Sequence, residues 1–297
     1  MELTEKEILN LELKANKIRQ LIIETLVEAK SGHSAGPLGM ADIFTAMYFH
    51  ILHHDPKNPA MEDRDRLILS NGHICPVLYC TMALAGYFPI EELKTLRKMN
   101  SRLQGHPHRT VLPGIENTSG PLGEGISQAI GIALTARMDK KKYRVYCLTS
   151  DGEHQEGNIW EAIMLAGKYN LTNLTVVIDR NNIQIDGTTE SILPLEPLKE
   201  KYEAFNWHVL EINGNNMRSF INTINFAKTI TEKPVVIIAN TIPGKDVSYM
   251  EGNYLWHGNP PDVADVAGAP PKGQQAQKAL EDLKKVEQKL MNAGAVL

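Results

Sequence analysis

Ser150-Asp151-Gly152-Glu153-His154-Gln155-Glu156-Gly157-Asn158 is followed, about thirty residues later, by Asp179-Arg180-Asn181-Asn182-Ile183. An apolar run precedes each piece, at 145–149 and at 174–178, and such runs are typical of buried parallel strands. Apolar residues between the two strands recur at helical spacing. The order strand, turn, helix, strand predicts a right-handed crossover that places both strands side by side. The fold class is therefore α/β, with an open parallel sheet and helices on both faces.

Both polar pieces begin where a predicted strand ends, so Asp151 and Asn181 are expected at the same edge of the sheet. That edge is where ligands bind in open α/β sheets. A carboxylate and an amide oxygen are hard ligands of the kind that Mg²⁺ or Ca²⁺ prefers beside phosphate oxygens. Gly152 lets a diphosphate approach the backbone, and the following helix offers its N-terminus to an anion. The pair predicts a metal-linked diphosphate site.

With these pieces the chain resembles the thiamine diphosphate enzymes, and among them the transketolases. The general signature is Gly-Asp-Gly followed by Asn-Asn, and here Ser150 stands in the place of the first Gly. Further segments that resemble transketolases occur in the family's order: Ser31-Gly32-His33-Ser34-Ala35-Gly36-Pro37-Leu38-Gly39, Ser70-Asn71-Gly72-His73, Gly105-His106-Pro107, Gly120-Pro121-Leu122-Gly123-Glu124-Gly125, Ile185-Asp186-Gly187 and His257-Gly258.

The resemblance implies a set of site residues. It implies thiamine diphosphate and Mg²⁺ (or Ca²⁺) as cofactors, with the metal held by Asp151, Asn181 and Ile183. The residues that it implies for the thiamine diphosphate are His73, Gly120, Pro121, Leu122, Gly152, Glu156, Asn181 and His257. The catalytic residues that it implies are His33, His106 and His257. Histidine suits proton transfer to sugar hydroxyls near neutral pH. For Glu156, a solvated glutamate in the first turn of a helix is the alternative interpretation.

Bulk properties exclude several classes of protein. The chain has 297 residues, 42% of them hydrophobic, which is ample for a sizeable core. A net charge of −4 gives no basic surface for nucleic acid. The three cysteines lack metal-type spacing, and no apolar run approaches a membrane span. The N-terminal sequence has no signal-peptide pattern, so a cytoplasmic location is expected.

The remaining pattern predicts the other elements and the domain boundaries. The predicted helices are 4–29, 39–52, 75–86, 90–99 and 124–138, and further strands are predicted at 66–69, 207–212 and 234–239, with a functional loop at 100–123. Ile130, Trp160 and Met164 are expected in the core. Residues 1–261 form the predicted thiamine diphosphate-binding domain. Residues 262–297 form an exposed linker and a C-terminal helix, whose apolar face packs on this chain or on a partner.

By resemblance, the glutamate that activates the cofactor lies on a second domain, which this sequence lacks. We therefore interpret the chain as the N-terminal subunit of a split transketolase, active only with a separate pyrimidine-binding C-terminal subunit. Paired sites favour a heterotetramer (α₂β₂) with self-association of this chain. The expected reaction transfers a two-carbon ketol group from a ketose phosphate to an aldose phosphate, by default xylulose 5-phosphate and ribose 5-phosphate.

Two kinds of alternative remain open at this stage. One is another thiamine diphosphate enzyme, such as a 1-deoxy-D-xylulose 5-phosphate synthase or the α subunit of a 2-oxo acid dehydrogenase. The other is a non-catalytic scaffold that keeps the fold without the chemistry. Asp151, Asn181 and the four motif histidines favour a working site over a scaffold.

Overall fold

A five-stranded parallel sheet forms the centre of the computed structural model, which describes residues 3–295. Its strands are β1 (Arg66–Leu69), β2 (Val145–Ser150), β3 (Leu174–Arg180), β6 (His208–Asn213) and β7 (Val235–Asn240). They lie in the order β1-β2-β3-β7-β6, and each neighbouring pair is parallel. A small antiparallel ribbon follows β3, made of β4 (Ile183–Gln184) and β5 (Gly187–Thr188). The predicted α/β class with an open parallel sheet is confirmed.

Helices cover both faces of the sheet. They are α1 (Glu5–Ala29), α2 (Ala35–Ala46), α3 (Cys75–Ala85), α4 (Glu124–Met138), α5 (Gly157–Lys168), α6 (Thr189–Ile192), α7 (Leu198–Ala204), α8 (Met217–Ala227) and α9 (Gln275–Gly294). Successive strand residues point to opposite faces, so alternate side chains of β2 and β3 enter two separate apolar clusters. One cluster holds α1, α2, α3, α8 and α9, and the other holds α4, α5 and α7.

The carboxyl ends of β1, β2 and β3 lie next to one another along one edge of the sheet. Ser150 at the end of β2 is paired in register with Asp179 in β3. Parallel pairing therefore delivers Ser70, Asp151 and Asn181, each just beyond its strand's last residue, to the same edge.

Several local predictions are corrected by the structure. The helix expected at 39–52 begins at Ala35 and ends in a π-helical turn, Met47–Ile51. The helix expected at 90–99 is only a 3₁₀ helix, Ile90–Thr95, because the backbone leaves the helical conformation at Leu96 and has a positive φ at Arg97. Met164 is not in the core but is 54% exposed, since the buried stripe of α5 runs through Ile159 and Ile163.

The C-terminal helix α9 packs on this chain itself. Its Ala279 and Leu283 are fully buried in the cluster that contains α1. The Asn16 amide of α1 donates to the Leu283 carbonyl at 3.1 Å. Within the part of the chain that the structure describes, no helix is both long and apolar enough to span a membrane.

Candidate active site

A cavity of about 360 Å³ opens at the carboxyl edge of the sheet. Its walls include these predicted site residues: His33, His73, His106, Gly120, Leu122, Gly152, Glu156, Asn181, Ile183 and His257. Asp151 is fully buried beside Gly152, and Pro121 is exposed beside Leu122. Residues separated by more than two hundred positions in the sequence thus meet around one space.

Asp151 is held rigidly at the end of β2. Its Oδ1 accepts a hydrogen bond from the Gly152 amide at 2.7 Å, and its Oδ2 accepts one from the Asn182 amide at 2.5 Å. The Arg180 guanidinium donates to Oδ2 at 3.1 Å. Burial raises the pKa of Asp151 to about 6, against the opposing effect of Arg180. An ionised carboxylate has about four acceptor positions, so one remains for a metal ion after these three bonds.

The Asn181 amide is fixed in one orientation by a buried carboxyl group. Its Nδ2 donates to Asp179 at 2.9 Å, while its Oδ1 accepts from the Ile183 amide at 3.0 Å. Asp179 also accepts a hydrogen bond from the Thr241 hydroxyl, and burial raises its pKa to about 7. The amide oxygen of Asn181 is therefore turned toward Ile183. A carboxylate, an amide oxygen and a backbone carbonyl form a donor set that fits Mg²⁺ or Ca²⁺.

Arg180 was not singled out from the sequence, yet it supports this turn. Its side chain is only 9% exposed, and besides Asp151 it pairs with Glu190 at 2.7 Å and Glu196 at 3.0 Å. It also donates to the Thr189 hydroxyl at 2.8 Å. Arg180 therefore ties the buried carboxylate to the segment after β5. No sequence pattern signals this role, because the partners of Arg180 are set by the tertiary structure.

Three histidines from separate segments of the chain pack against one another on the cavity wall. The ring centroids of His33 and His73 are 4.9 Å apart, those of His73 and His257 are 5.1 Å apart, and those of His33 and His257 are 5.4 Å apart. Burial lowers the pKa of His33 to about 3 and that of His257 to about 4, and it lowers the pKa of His73 as well. Neutral imidazoles result, each with one donor and one acceptor nitrogen.

The histidine cluster makes stability depend on pH. In the unfolded chain these side chains titrate near 6.5, and in the folded chain His33 titrates near 3 and His257 near 4. Between the folded and the unfolded pKa values, the unfolded chain binds more protons than the folded chain. The free energy of unfolding therefore falls as pH drops below 6.5. Each histidine contributes at most about 1.4 kcal/mol per pH unit.

We expect His33→Gln and His257→Gln to flatten this dependence, measured by urea unfolding between about pH 7 and about pH 4.5. His53→Gln is the matched control, because the His53 side chain is 65% exposed. Slopes that are the same for His33→Gln, His257→Gln and the unmutated chain would contradict the assignment of buried neutral histidines.

Glycines shape the loop that enters α4. Gly123, the N-cap of α4, has a φ of +83°, which L side chains rarely adopt. A Cβ there would lie 1.9 Å from Asn158 Oδ1. At Gly120, a Cβ would lie 3.7 Å from Cγ of the His106 ring, so a side chain would grow toward that wall residue of the cavity. The loop therefore brings bare backbone to the cavity.

Gly123→Ala is expected to destabilise the chain by about 1–3 kcal/mol through its left-handed backbone alone. Gly131→Ala in the same helix is the matched control, because a Cβ there meets nothing within 4 Å. Alanine in a helix interior is favoured over glycine, so the control should be neutral or stabilising. Thermal or urea unfolding measures the stability of both variants. Equal stability would contradict a left-handed backbone at Gly123.

Unpartnered polar atoms on the cavity wall and next to it are free to bind a polar ligand. Within residues 3–295, buried atoms with no hydrogen-bond partner include His33 Nδ1, His257 Nδ1, Ser119 Oγ and both amide atoms of Asn71. Such atoms are rare in folded proteins and call for a partner. Together with the oxygen donors and the bare glycine loop, they fit a polyanionic ligand held through a divalent metal.

Glu153 is the second residue that the sequence interpretation missed. It is fully buried, and its carboxylate accepts hydrogen bonds from the Ser70 hydroxyl and from the Gly123 and Ser150 amides. Burial raises its pKa. The Ser-x-x-Glu spacing from Ser150 is a capping-box pattern and could have drawn attention to it.

Comparisons with known proteins show which family the chain belongs to. The family model described as "Transketolase, thiamine diphosphate binding domain" matches residues 11–281. The chain is 42% identical over 251 residues to one subunit of the apulose-4-phosphate transketolase of Phocaeicola vulgatus, covering 84% of this chain and 89% of that one. It is 43% identical over 255 residues to 6-deoxy-6-sulfo-D-fructose transketolase subunit SqwG of a Clostridium species, covering 86% and 92%.

Longer relatives match in the same region. The chain is 36% identical over 265 residues to transketolase 1 of Escherichia coli and spans 40% of that protein. The crystal structure of transketolase from Campylobacter jejuni superposes with a TM-score of 0.81 at 33% identity, covering 98% of this chain and 48% of that one. The chain therefore belongs to the transketolase family and carries its thiamine diphosphate-binding domain.

Proposed function

We propose that this chain is the diphosphate-binding subunit of a split transketolase that uses thiamine diphosphate and Mg²⁺. The observation that carries the proposal is the cavity that brings the turns of Asp151 and Asn181, after β2 and β3, together with the cluster of His33, His73 and His257. The relatives named as subunits are similar to nearly the full length of this chain, and those names imply a second subunit. Residues 1–261 would form the binding domain, with 262–297 as linker and helix.

In this proposal the two walls have different tasks. Asp151, Asn181 and the Ile183 carbonyl hold the metal, and Gly152 lets the diphosphate lie against the backbone. His73 donates to diphosphate oxygens, and Glu156 is exposed where a second copy of the chain can reach it. Gly120, Pro121 and Leu122 line the aminopyrimidine end. Thiamine diphosphate, when bound, supplies the electron sink for breaking the ketose carbon–carbon bond.

The sugar would lie against the histidines. His33, His106 and His257 hold its hydroxyl groups by hydrogen bonds, since a neutral imidazole offers one donor and one acceptor nitrogen. A second hollow of about 630 Å³ shares His106 and is lined by Arg97 and Lys98, so positive charge adjoins the cavity. An anionic end on the substrate fits this placement. Xylulose 5-phosphate as donor and ribose 5-phosphate as acceptor are the proposed pair.

An open, partly apolar rim supports a second subunit. Ile185 lines the cavity and is 67% exposed, and Ile192 and Leu193 nearby in sequence are 46% and 52% exposed. Large apolar side chains at the rim of a site are commonly covered by a protein partner. A pyrimidine-binding C-terminal subunit in an α₂β₂ assembly is the proposed partner.

The reaction is tested on the two subunits mixed, with thiamine diphosphate and Mg²⁺. A donor panel contains xylulose 5-phosphate, a 4-phosphorylated branched ketose, a 6-sulfonated ketose and a 2-oxo acid. Transfer of a two-carbon group from any of the sugars supports a transketolase and identifies the donor. Carbon dioxide release from the 2-oxo acid alone would favour a synthase or dehydrogenase instead, and no turnover with cofactor bound would favour a scaffold.

A further inference from the structure

Ser150 and Glu153 form a reciprocal pair around the Asp151-Gly152 turn. The Glu153 amide donates to Ser150 Oγ at 3.3 Å, and the Ser150 amide donates to Glu153 Oε2 at 3.2 Å. This is the geometry of a capping box, in which each side chain satisfies the other residue's backbone donor. The serine that replaces the family's first glycine thus adds a side-chain acceptor to the turn that carries Asp151.

The other oxygen of Glu153 reaches two more loops. Oε1 accepts from the Ser70 hydroxyl at 2.5 Å and from the Gly123 amide at 2.6 Å. Ser70 Oγ in turn accepts from the Gly125 amide at 3.1 Å. One fully buried carboxylate therefore joins the loop after β1, the loop before α4 and the turn after β2. These loops carry His73, Gly120 and Gly152, which line the same cavity.

We propose that Glu153 is a positioning residue. It sets the distance between the Asp151-Gly152 turn, which carries a proposed metal ligand, and the loop of Gly120 and Leu122. The inference rests on the proposed function and deepens it. In that proposal the turn holds the diphosphate end of the cofactor, and the loop lines its aminopyrimidine end. Glu153 borders the cavity, but both of its carboxylate oxygens are engaged by Ser70, Gly123 and Ser150. Its effect comes from fixing three backbones that would otherwise move independently.

The chemistry of the contacts makes glutamine a sharp test. Glutamine has nearly the same shape but replaces one acceptor oxygen with an NH₂ donor. A backbone N–H faces each oxygen of Glu153, from Ser150 on one side and Gly123 on the other. Neither orientation of a glutamine amide can accept from both. Glu153→Gln must therefore release one side of the link while preserving the packed volume.

Two measurements on Glu153→Gln test the proposal. Amide hydrogen exchange at Gly123 or Ser150 in the metal-free chain should speed up by about 10- to 100-fold, because a buried hydrogen bond is lost. The dissociation constant for thiamine diphosphate at saturating Mg²⁺ should rise by about 10- to 100-fold. Glu161→Gln on α5 is the matched control, since Glu161 is exposed and should change neither quantity.

Ser70→Ala removes the hydrogen bond from Ser70 to Glu153 and leaves the reciprocal pair of Ser150 and Glu153 intact. This variant tests the proposal if Glu153→Gln does not fold. It should speed exchange at Gly125 and weaken cofactor binding by a smaller factor. The double variant should lose less than the two singles combined, because both act on one network. Unchanged exchange and unchanged affinity in both folded single variants would overturn the proposal. Failure of the unmutated chain and its partner to bind thiamine diphosphate would instead overturn the proposed function, while the exchange measurement would still test the link.

Discussion

Asp151→Ala is expected to abolish the Mg²⁺-dependent part of thiamine diphosphate binding, with an affinity loss of at least about 100-fold. Asp151 is the only anionic group among the three proposed ligands, so its loss removes the charge that attracts the cation. Its carboxylate also anchors the Asn182 and Gly152 amides at 2.5 Å and 2.7 Å. Removing it therefore loosens the backbone against which the diphosphate would lie.

The measurement is calorimetric titration of thiamine diphosphate with Mg²⁺ and again with EDTA, on the chain mixed with its second subunit. Asp139→Ala is the matched control, because Asp139 is an exposed carboxylate at the end of α4. We expect Asp151→Ala to remain folded, because Arg180 keeps Glu190 and Glu196 as partners. Circular dichroism checks this. Equal Mg²⁺-dependent affinity in the variant and the unmutated chain would exclude Asp151 as a ligand.

His33→Ala is expected to lower kcat/KM for ketol transfer by between about 10²- and 10⁴-fold, with cofactor affinity nearly unchanged. His33 packs at 4.9 Å from His73 and at 5.4 Å from His257, and its Nδ1 has no partner among the described residues. Burial lowers its pKa to about 3, so it is neutral at working pH and can donate one hydrogen bond and accept another. Those properties suit contact with a sugar hydroxyl.

Steady-state kinetics of the mixed subunits, with thiamine diphosphate affinity measured in parallel, separates this role from cofactor binding. His53→Ala, at a mostly exposed histidine, should leave both quantities unchanged. A loss of cofactor affinity that matched the loss of kcat/KM would place His33 at the diphosphate instead. A fully active His33→Ala variant would remove it from the site.

The sheet and the polar turns could be predicted because their signals are local. Apolar runs at 145–149 and 174–178 specify buried strands, and polar residues that follow parallel strands must share an edge. The capping box at the start of α1 likewise follows a four-residue pattern, in which Thr4 and Glu7 each accept a hydrogen bond from the other's backbone amide. The gathering of four loop histidines came from family resemblance, since no local rule places His33 beside His257.

The remaining features depend on contacts that sequence patterns do not encode. Glu153 acquires its role from Ser70 and Gly123, which are 83 and 30 positions away. Arg180 acquires its role from Asp151 and from carboxylates after β5. The helix expected at 90–99 stops early because its good helix formers meet the left-handed turn at Arg97, whose amide donates to Leu103. Tertiary structure overrides local helix propensity in this last segment.

We propose that the active site is shared between this chain and a second subunit. The most direct test is release of glyceraldehyde 3-phosphate from xylulose 5-phosphate, with ribose 5-phosphate, thiamine diphosphate and Mg²⁺ present. It is run separately on this chain, on the candidate pyrimidine-binding partner, and on the mixture of both. We expect product only from the mixture, at a rate that saturates as more of the partner is added. Turnover by this chain alone would contradict a site shared between two subunits.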